Sequence, residues 1–114
     1  MEANDYQVAA LRTANDIPEM TIQNPLLLDG LLGLVGESGE CADLLKKHLF
    51  QGHELDTKHL IKELGDVSWY LAITAYALGY DLETVFRTNI AKLRERYPDG
   101  FVVHRSINRK DGDL

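Results

Sequence analysis

The chain has 114 residues, 45% of them hydrophobic and 26% charged, a balance that fits one small globular domain rather than a disordered or fibrous chain. Its formal charge of −6 argues against a sequence-independent nucleic-acid binder, whose affinity rests on a positive footprint. A single cysteine, Cys41, leaves no intrachain disulfide and fits a reducing compartment.

Periodicity and punctuation predict four helices and no strand, an all-α chain. The first helix is expected from about Asp5 to Asn15, capped by Asn4 or Asp5 and closed before Pro18. After a loop containing Pro18 and Pro25, a long second helix is expected from about Pro25 to Phe50, weakened near Gly30 and Gly33. Gln51-Gly52-His53-Glu54-Leu55 reads as the turn into a third helix, capped by Asp56 or Thr57 and ended near Leu78 by Gly79. Asp81 is the expected cap of a fourth helix that stops at Tyr97 before Pro98. These elements make one helical domain over residues 1–103, followed by a polar tail over 104–114 with the composition of a disordered segment.

The second and third helices carry the informative chemistry. Glu37-x-x-Glu40 and Glu63-x-x-Asp66 each place two carboxylates on one helical face, about 5–6 Å apart at Cβ. An isolated pair of this kind is usually a solvated face. Here both pairs sit in apolar surroundings, Leu31 to Leu45 and Leu60 to Leu71, where a buried charge without a partner is costly. Gly36, Ser38, Gly39 and Gly65 beside them are poor helix formers, which suggests close approach of a backbone or a ligand. Two such helices joined by a short turn form an antiparallel hairpin in which the four carboxylates face one another. They would repel unless a cation neutralised them, and hard oxygen donors select Mg²⁺, with Mn²⁺ as a substitute. The hairpin's apolar remainder, including Leu31, Leu34, Val35, Leu44, Leu45, Val67, Leu71 and Ile73, exceeds what short flanking helices can cover. Homo-oligomerisation that completes a four-helix-bundle core is the expected solution.

On the fourth helix Asn89, Lys92 and Arg96 share one face and offer polar and cationic donors to an anionic ligand; a solvated, dipole-matched helix end is the alternative. Lys46 and Lys47 end the second helix in the same two-sided way, and Lys47 shares the face of Glu40 as a candidate phosphate contact. Trp69 lies on the face of Asp66 and is either a stacking surface for a planar ligand or a core residue. Gln7, Thr13, Gln23, Asn24 and His53 are candidate polar readers of such a ligand, and Tyr6, Tyr70, Tyr76 and Tyr80 further aromatic candidates. The histidines show no zinc spacing, and His59 reads as a supporting or surface residue rather than a ligand. Cys41, in an apolar run, reads as a small core residue.

The segments Gly33-Leu34-Val35-Gly36-Glu37-Ser38-Gly39-Glu40, Lys62-Glu63-Leu64-Gly65-Asp66-Val67 and Asn89-Ile90-Ala91-Lys92-Leu93-Arg94-Glu95-Arg96-Tyr97-Pro98, in that order, resemble the MazG-type all-α nucleoside triphosphate pyrophosphohydrolases over roughly residues 26 to 101. The resemblance implies metal ligation and catalysis by Glu37, Glu40, Glu63 and Asp66, contact of Asn89 and Lys92 with the metal and phosphates, Arg96 beside them, and a homodimer or homotetramer. It implies hydrolysis of a ribo- or deoxynucleoside triphosphate to the monophosphate and pyrophosphate, in clearance of the nucleotide pool. Many members of that group carry a further glutamate where this chain has Gly36, which leaves the general base open between Glu37, Glu40 and unaided metal activation of water. Two other readings stay in view: a phosphoribosyl-ATP pyrophosphohydrolase and a non-catalytic helical module that binds metal or nucleotide. A di-iron carboxylate bundle would need Glu-x-x-His pairs, which positions 40 and 66 do not supply. The acidic, polar start Met1-Glu2-Ala3-Asn4-Asp5 and the absence of a spanning apolar stretch lead to the expectation of a cytoplasmic protein with no membrane partner.

Overall fold

A computed structural model describes residues 1–14 and 24–114, and among them the chain is all-helical, with no strand. Five helices occur among the described residues: α1 Ala3–Leu11, α2 Pro25–Phe50, α3 Thr57–Ala77, α4 Leu82–Arg96 and α5 Val103–Ile107. They belong to two compact units, Met1–Leu82 and Glu83–Leu114. Among the described residues no helix is long and apolar enough to cross a membrane.

Local chemistry explains the boundaries. Pro25 opens α2, where a missing N–H costs nothing, and Asn24 caps it by accepting from the Leu27 N–H at 3.3 Å. Asn24 sits at φ 51°, a left-handed conformation that asparagine tolerates, and its amide also donates to the Ala77 carbonyl at 2.9 Å. Asp56 caps α3 through the His59 N–H at 3.0 Å. Gly79, at φ 83°, ends α3 in a Schellman arrangement, with Gly79 N–H on Tyr76 O and Tyr80 N–H on Ala75 O. The first helix differs from expectation. It starts at Ala3, and Asn4 donates to Asp81 at 3.3 Å instead of capping it. The expected end at Asn15, Pro18 and the candidate reader Gln23 lie outside the described residues.

In the first unit, α2 and α3 pack against one another in opposite directions. A Cβ on Gly30 would lie 2.3 Å from the Thr74 hydroxyl, and one on Gly33 would lie 2.0 Å from the Tyr70 ring. These two glycines therefore set the helix separation, and α2 runs through them unbroken. Gly36, Gly39 and Gly65 do not share that role: a Cβ at each meets no described atom within 4 Å.

Among the described residues the buried apolar core is small, consisting of Ala10, Ala72, Ile73, Ala75 and Leu82. Beside it Gln7 ties three stretches of backbone together. Its amide donates to Ala72 O at 3.1 Å and Tyr80 O at 3.0 Å, and its carbonyl oxygen accepts from Leu82 N–H at 3.1 Å. Trp69 fastens α1 to α3 as well, its indole N–H reaching Ala10 O at 3.2 Å and Thr13 Oγ1 at 2.9 Å. Outside this core, Leu32, Val35, Phe50 and Ile61 are 65%, 73%, 80% and 68% exposed.

In the second unit, α4 stops at Arg96, Tyr97 N–H closes its last turn on Leu93 O at 2.8 Å, and the Tyr97 and Phe101 rings meet at 5.2 Å. The polar tail is partly ordered: α5 crosses its expected boundary, and Asp113 is bound to Arg96. The tail's charge pattern is met by an arginine inside α4, which composition alone does not reveal.

Replacing Gln7 with leucine strands a buried N–H and two carbonyls. The expected loss is about 2–4 kcal/mol of unfolding free energy, since each stranded group costs roughly 1–3 kcal/mol and the leucine regains part of it. Urea denaturation of Gln7→Leu against the parent chain measures it.

Candidate metal centre

Glu37 on α2 and Glu63 and Asp66 on α3 converge because the helices run antiparallel. One carboxylate oxygen from each lies within 4.8 Å of the others. Glu37 and Glu63 are half-buried and Asp66 is exposed. Glu40, the fourth carboxylate of the sequence pattern, is exposed and does not join that group, although its charge is felt at Glu37.

The cluster strains its own charge. The Glu37 carboxyl is pushed above the usual range by burial first, then by the Asp66 charge, by a hydrogen bond with Glu63, and by the charges of Glu63 and Glu40. A divalent cation would relieve all of the charge repulsion together. The donors are hard carboxylate oxygens, and oxygens on one small hard ion lie at most about 4 Å apart, so small side-chain rotations close the set. The residues present fit such an ion.

Neighbouring groups hold the carboxylates in place. His59 Nε2 lies 2.8 Å from Glu63 Oε1, and the His59 backbone is itself fixed by the Asp56 cap. The Tyr6 hydroxyl donates to Gly65 O at 3.4 Å, and burial, then the Asp66 charge, raises its phenol above the ordinary range. Tyr70, whose ring fills the space left by Gly33, is raised by burial first and then by Asp29, Glu37 and Asp66.

Residues 28–101 match the family model described as the MazG nucleotide pyrophosphohydrolase domain. The chain belongs to that family. It is also similar to the gene 37 protein of Mycobacterium phage L5, at 40% identity over 117 residues, covering 96% of this chain and 100% of that protein. No solved structure gives a significant match.

The other candidate residues of this MazG domain are spread more widely. Lys47 is bound to Asp43 at 2.8 Å and Lys46 to the other oxygen of the same carboxylate at 2.9 Å. These two ammonium groups, Lys47 first, hold the Asp43 carboxyl down to about 2. Asp43 went unremarked in the sequence pattern, although its i+3 and i+4 spacing to the two lysines is readable. Trp69 meets Tyr70 edge-on at 4.9 Å and spends its N–H on α1. Gln7, Thr13 and Asn24 likewise use their polar groups on the chain's own atoms, and His53 O pairs with His48 Nδ1 at 2.8 Å. In the second unit Asn89 and Lys92 are exposed on α4. Arg96 is instead engaged: Nε and Nη2 grip Asp113 at 2.8 and 2.6 Å, and Nη2 also reaches Leu114 O at 3.1 Å.

Glu37 binds its proton more tightly in the folded than in the unfolded chain. Without metal, stability therefore falls as pH rises from the ordinary value of 4.5 through the higher folded value, and the full penalty is present at neutral pH. Glu37→Gln should raise the thermal midpoint in chelator at pH 7, and the gain should vanish below about pH 4. Melting curves of both proteins at the two pH values check this.

Proposed function

We propose that the protein is a metal-dependent nucleoside triphosphate pyrophosphohydrolase of the cytoplasm, cleaving a ribo- or deoxynucleoside triphosphate between its α and β phosphates. The observation that carries this reading is the convergence of Glu37, Glu63 and Asp66 in a chain of the MazG family. Glu37, Glu63 and Asp66 would hold Mg²⁺ or Mn²⁺, and Glu40, one helical turn from Glu37, would either complete the set or accept a proton. The ion would supply positive charge against the phosphates and acidify the attacking water.

Water forms the new bond to the α phosphorus, the bridging bond to the β phosphate breaks, and pyrophosphate leaves. Glu40 is the proposed acceptor of the water's proton, since it stands outside the three-carboxylate group and close to it. His59 fixes the Glu63 carboxylate, which limits the reorganisation that catalysis would otherwise require. Asn89 and Lys92 are proposed phosphate contacts on grounds of charge, because a triphosphate brings more negative charge than one divalent ion balances. Lys47 and Arg96 would have to leave Asp43 and Asp113 to take part. Trp69 would offer a ring face for stacking while its N–H stays on α1.

The protein is proposed to work as a homodimer or homotetramer. Leu31, Leu32, Val35 and Ile61 leave a broad apolar surface on α2 and α3, and the open space beside Gly36, Gly39 and Gly65 would admit a closely packed neighbour.

Incubating purified protein with each ribo- and deoxynucleoside triphosphate and Mg²⁺, then separating products by ion exchange, tests the reaction. Monophosphate and pyrophosphate are expected. Diphosphate and phosphate would contradict the bond proposed, and no product from any of them would remove the reading. Glu63→Gln and Asp66→Asn should each lower turnover on the order of 100-fold or more while the far-UV circular dichroism stays helical.

A further inference from the structure

Asp29 lies on α2 before Glu37, with Gly33 midway, so the three positions follow one side of the helix and span about 12 Å of its length. On α3, Tyr70 stands one turn past Asp66, and its ring fills the space left by Gly33. This stretch of the hairpin therefore carries the carboxylate cluster at one end and Asp29 at the other, with the Tyr70 ring between them. Burial first, then the charges of Asp29, Glu37 and Asp66, raises the Tyr70 phenol, as expected of a ring with acids on both sides.

No structural task accounts for Asp29. It is half-buried, yet its carboxylate makes no hydrogen bond or ion pair among the described residues. Nor does it belong to the three carboxylates that converge near the turn-ward end. It stands beyond the first turn of α2, where the helix dipole favours an acid, and Asn24 already caps that end. The Tyr70 hydroxyl likewise makes no hydrogen bond among the described residues.

An ionised carboxylate only accepts hydrogen bonds, through two oxygens in one plane. Its best complement is a pair of adjacent N–H donors on a planar edge, and such charge-assisted bonds are roughly twice as strong as neutral ones. Guanine presents that pair, its ring N1–H and its exocyclic amino group. Uracil flanks its one N–H with two carbonyl oxygens, which a carboxylate repels. A nucleotide whose phosphates meet the carboxylate cluster through a metal extends its base over about the length of helix that separates Glu37 from Asp29.

We propose, on the pyrophosphohydrolase reading, that Asp29 determines specificity at the same site by accepting the two N–H donors of a guanine base. Glu37, Glu63 and Asp66 hold the phosphate end of that nucleotide and Asp29 reads its far edge. A site built around an acceptor for those N–H groups discriminates against bases that lack them, because the carboxylate is then left facing carbonyl oxygens.

The test is calorimetric titration of the full chain, with Mg²⁺, with the α,β-methylene triphosphates of guanosine and of uridine, which bind without cleavage at the bond in question. The parent chain should bind the guanosine compound at least about tenfold more tightly than the uridine compound. Asp29→Asn keeps the side chain's shape and removes its charge and one acceptor. It should weaken the guanosine compound about tenfold and leave the uridine compound unchanged or tighter, so that the preference collapses. A residue that only supports the fold would weaken both alike. Equal weakening of both, an unchanged ratio in Asp29→Asn, or equal affinity of the parent chain for the two compounds would overturn the role of Asp29 while leaving the proposed reaction standing. Binding of neither compound by the parent chain would overturn both.

Discussion

Three carboxylates held within 4.8 Å by two antiparallel helices repel one another, and the architecture of the first unit exists around that repulsion. The Glu37 carboxyl is raised by burial first and by that repulsion after it. Left without a counter-ion, the cluster weakens the fold at neutral pH. A bound divalent cation turns the same geometry into a favourable one, so affinity for the ion and stability of the chain are linked.

The repulsion can be sustained because the helices are clamped elsewhere. At Gly30 and Gly33 the backbone of α2 approaches Thr74 and Tyr70 too closely for any side chain, and Gln7 and Trp69 bind α1 across α3. These contacts lie toward the far end of the hairpin from the turn, leaving the carboxylates on a stretch where a Cβ added to Gly36, Gly39 or Gly65 would meet no described atom within 4 Å. Rigid packing and an open charged site thus divide the length of the same two helices. The first unit's core is correspondingly slight, and apolar side chains such as Val35 and Ile61 stay in solvent in the single chain.

Much of this was legible in the sequence because it depends on neighbours in sequence. Pro25, Asp56 and Gly79 mark helix ends by local backbone chemistry, and the Glu37 and Glu63–Asp66 spacing follows from the helical repeat. What escaped depends on partners far along the chain. Gln7 reads as a candidate polar contact for the ligand until Ala72, Tyr80 and Leu82 surround it. Glycines beside the carboxylates and glycines at the helix contact look alike in sequence, and only packing separates Gly33 from Gly36. Arg96 and Asp113 carry no periodic relation, so the ordering of the tail had no signal in composition. Glu40 shares the face of Glu37, yet the convergence of three carboxylates rather than four is a matter of side-chain reach across the hairpin.

The central claim is that Glu37, Glu63 and Asp66 form a divalent-cation site. Titrating the protein with Mn²⁺ and following the free ion by electron paramagnetic resonance tests it without reference to any substrate. The account predicts saturable binding in the parent chain, at least about tenfold weaker in Glu63→Gln and in Asp66→Asn. Binding that persists unchanged in both variants, or no binding in the parent chain, would contradict it.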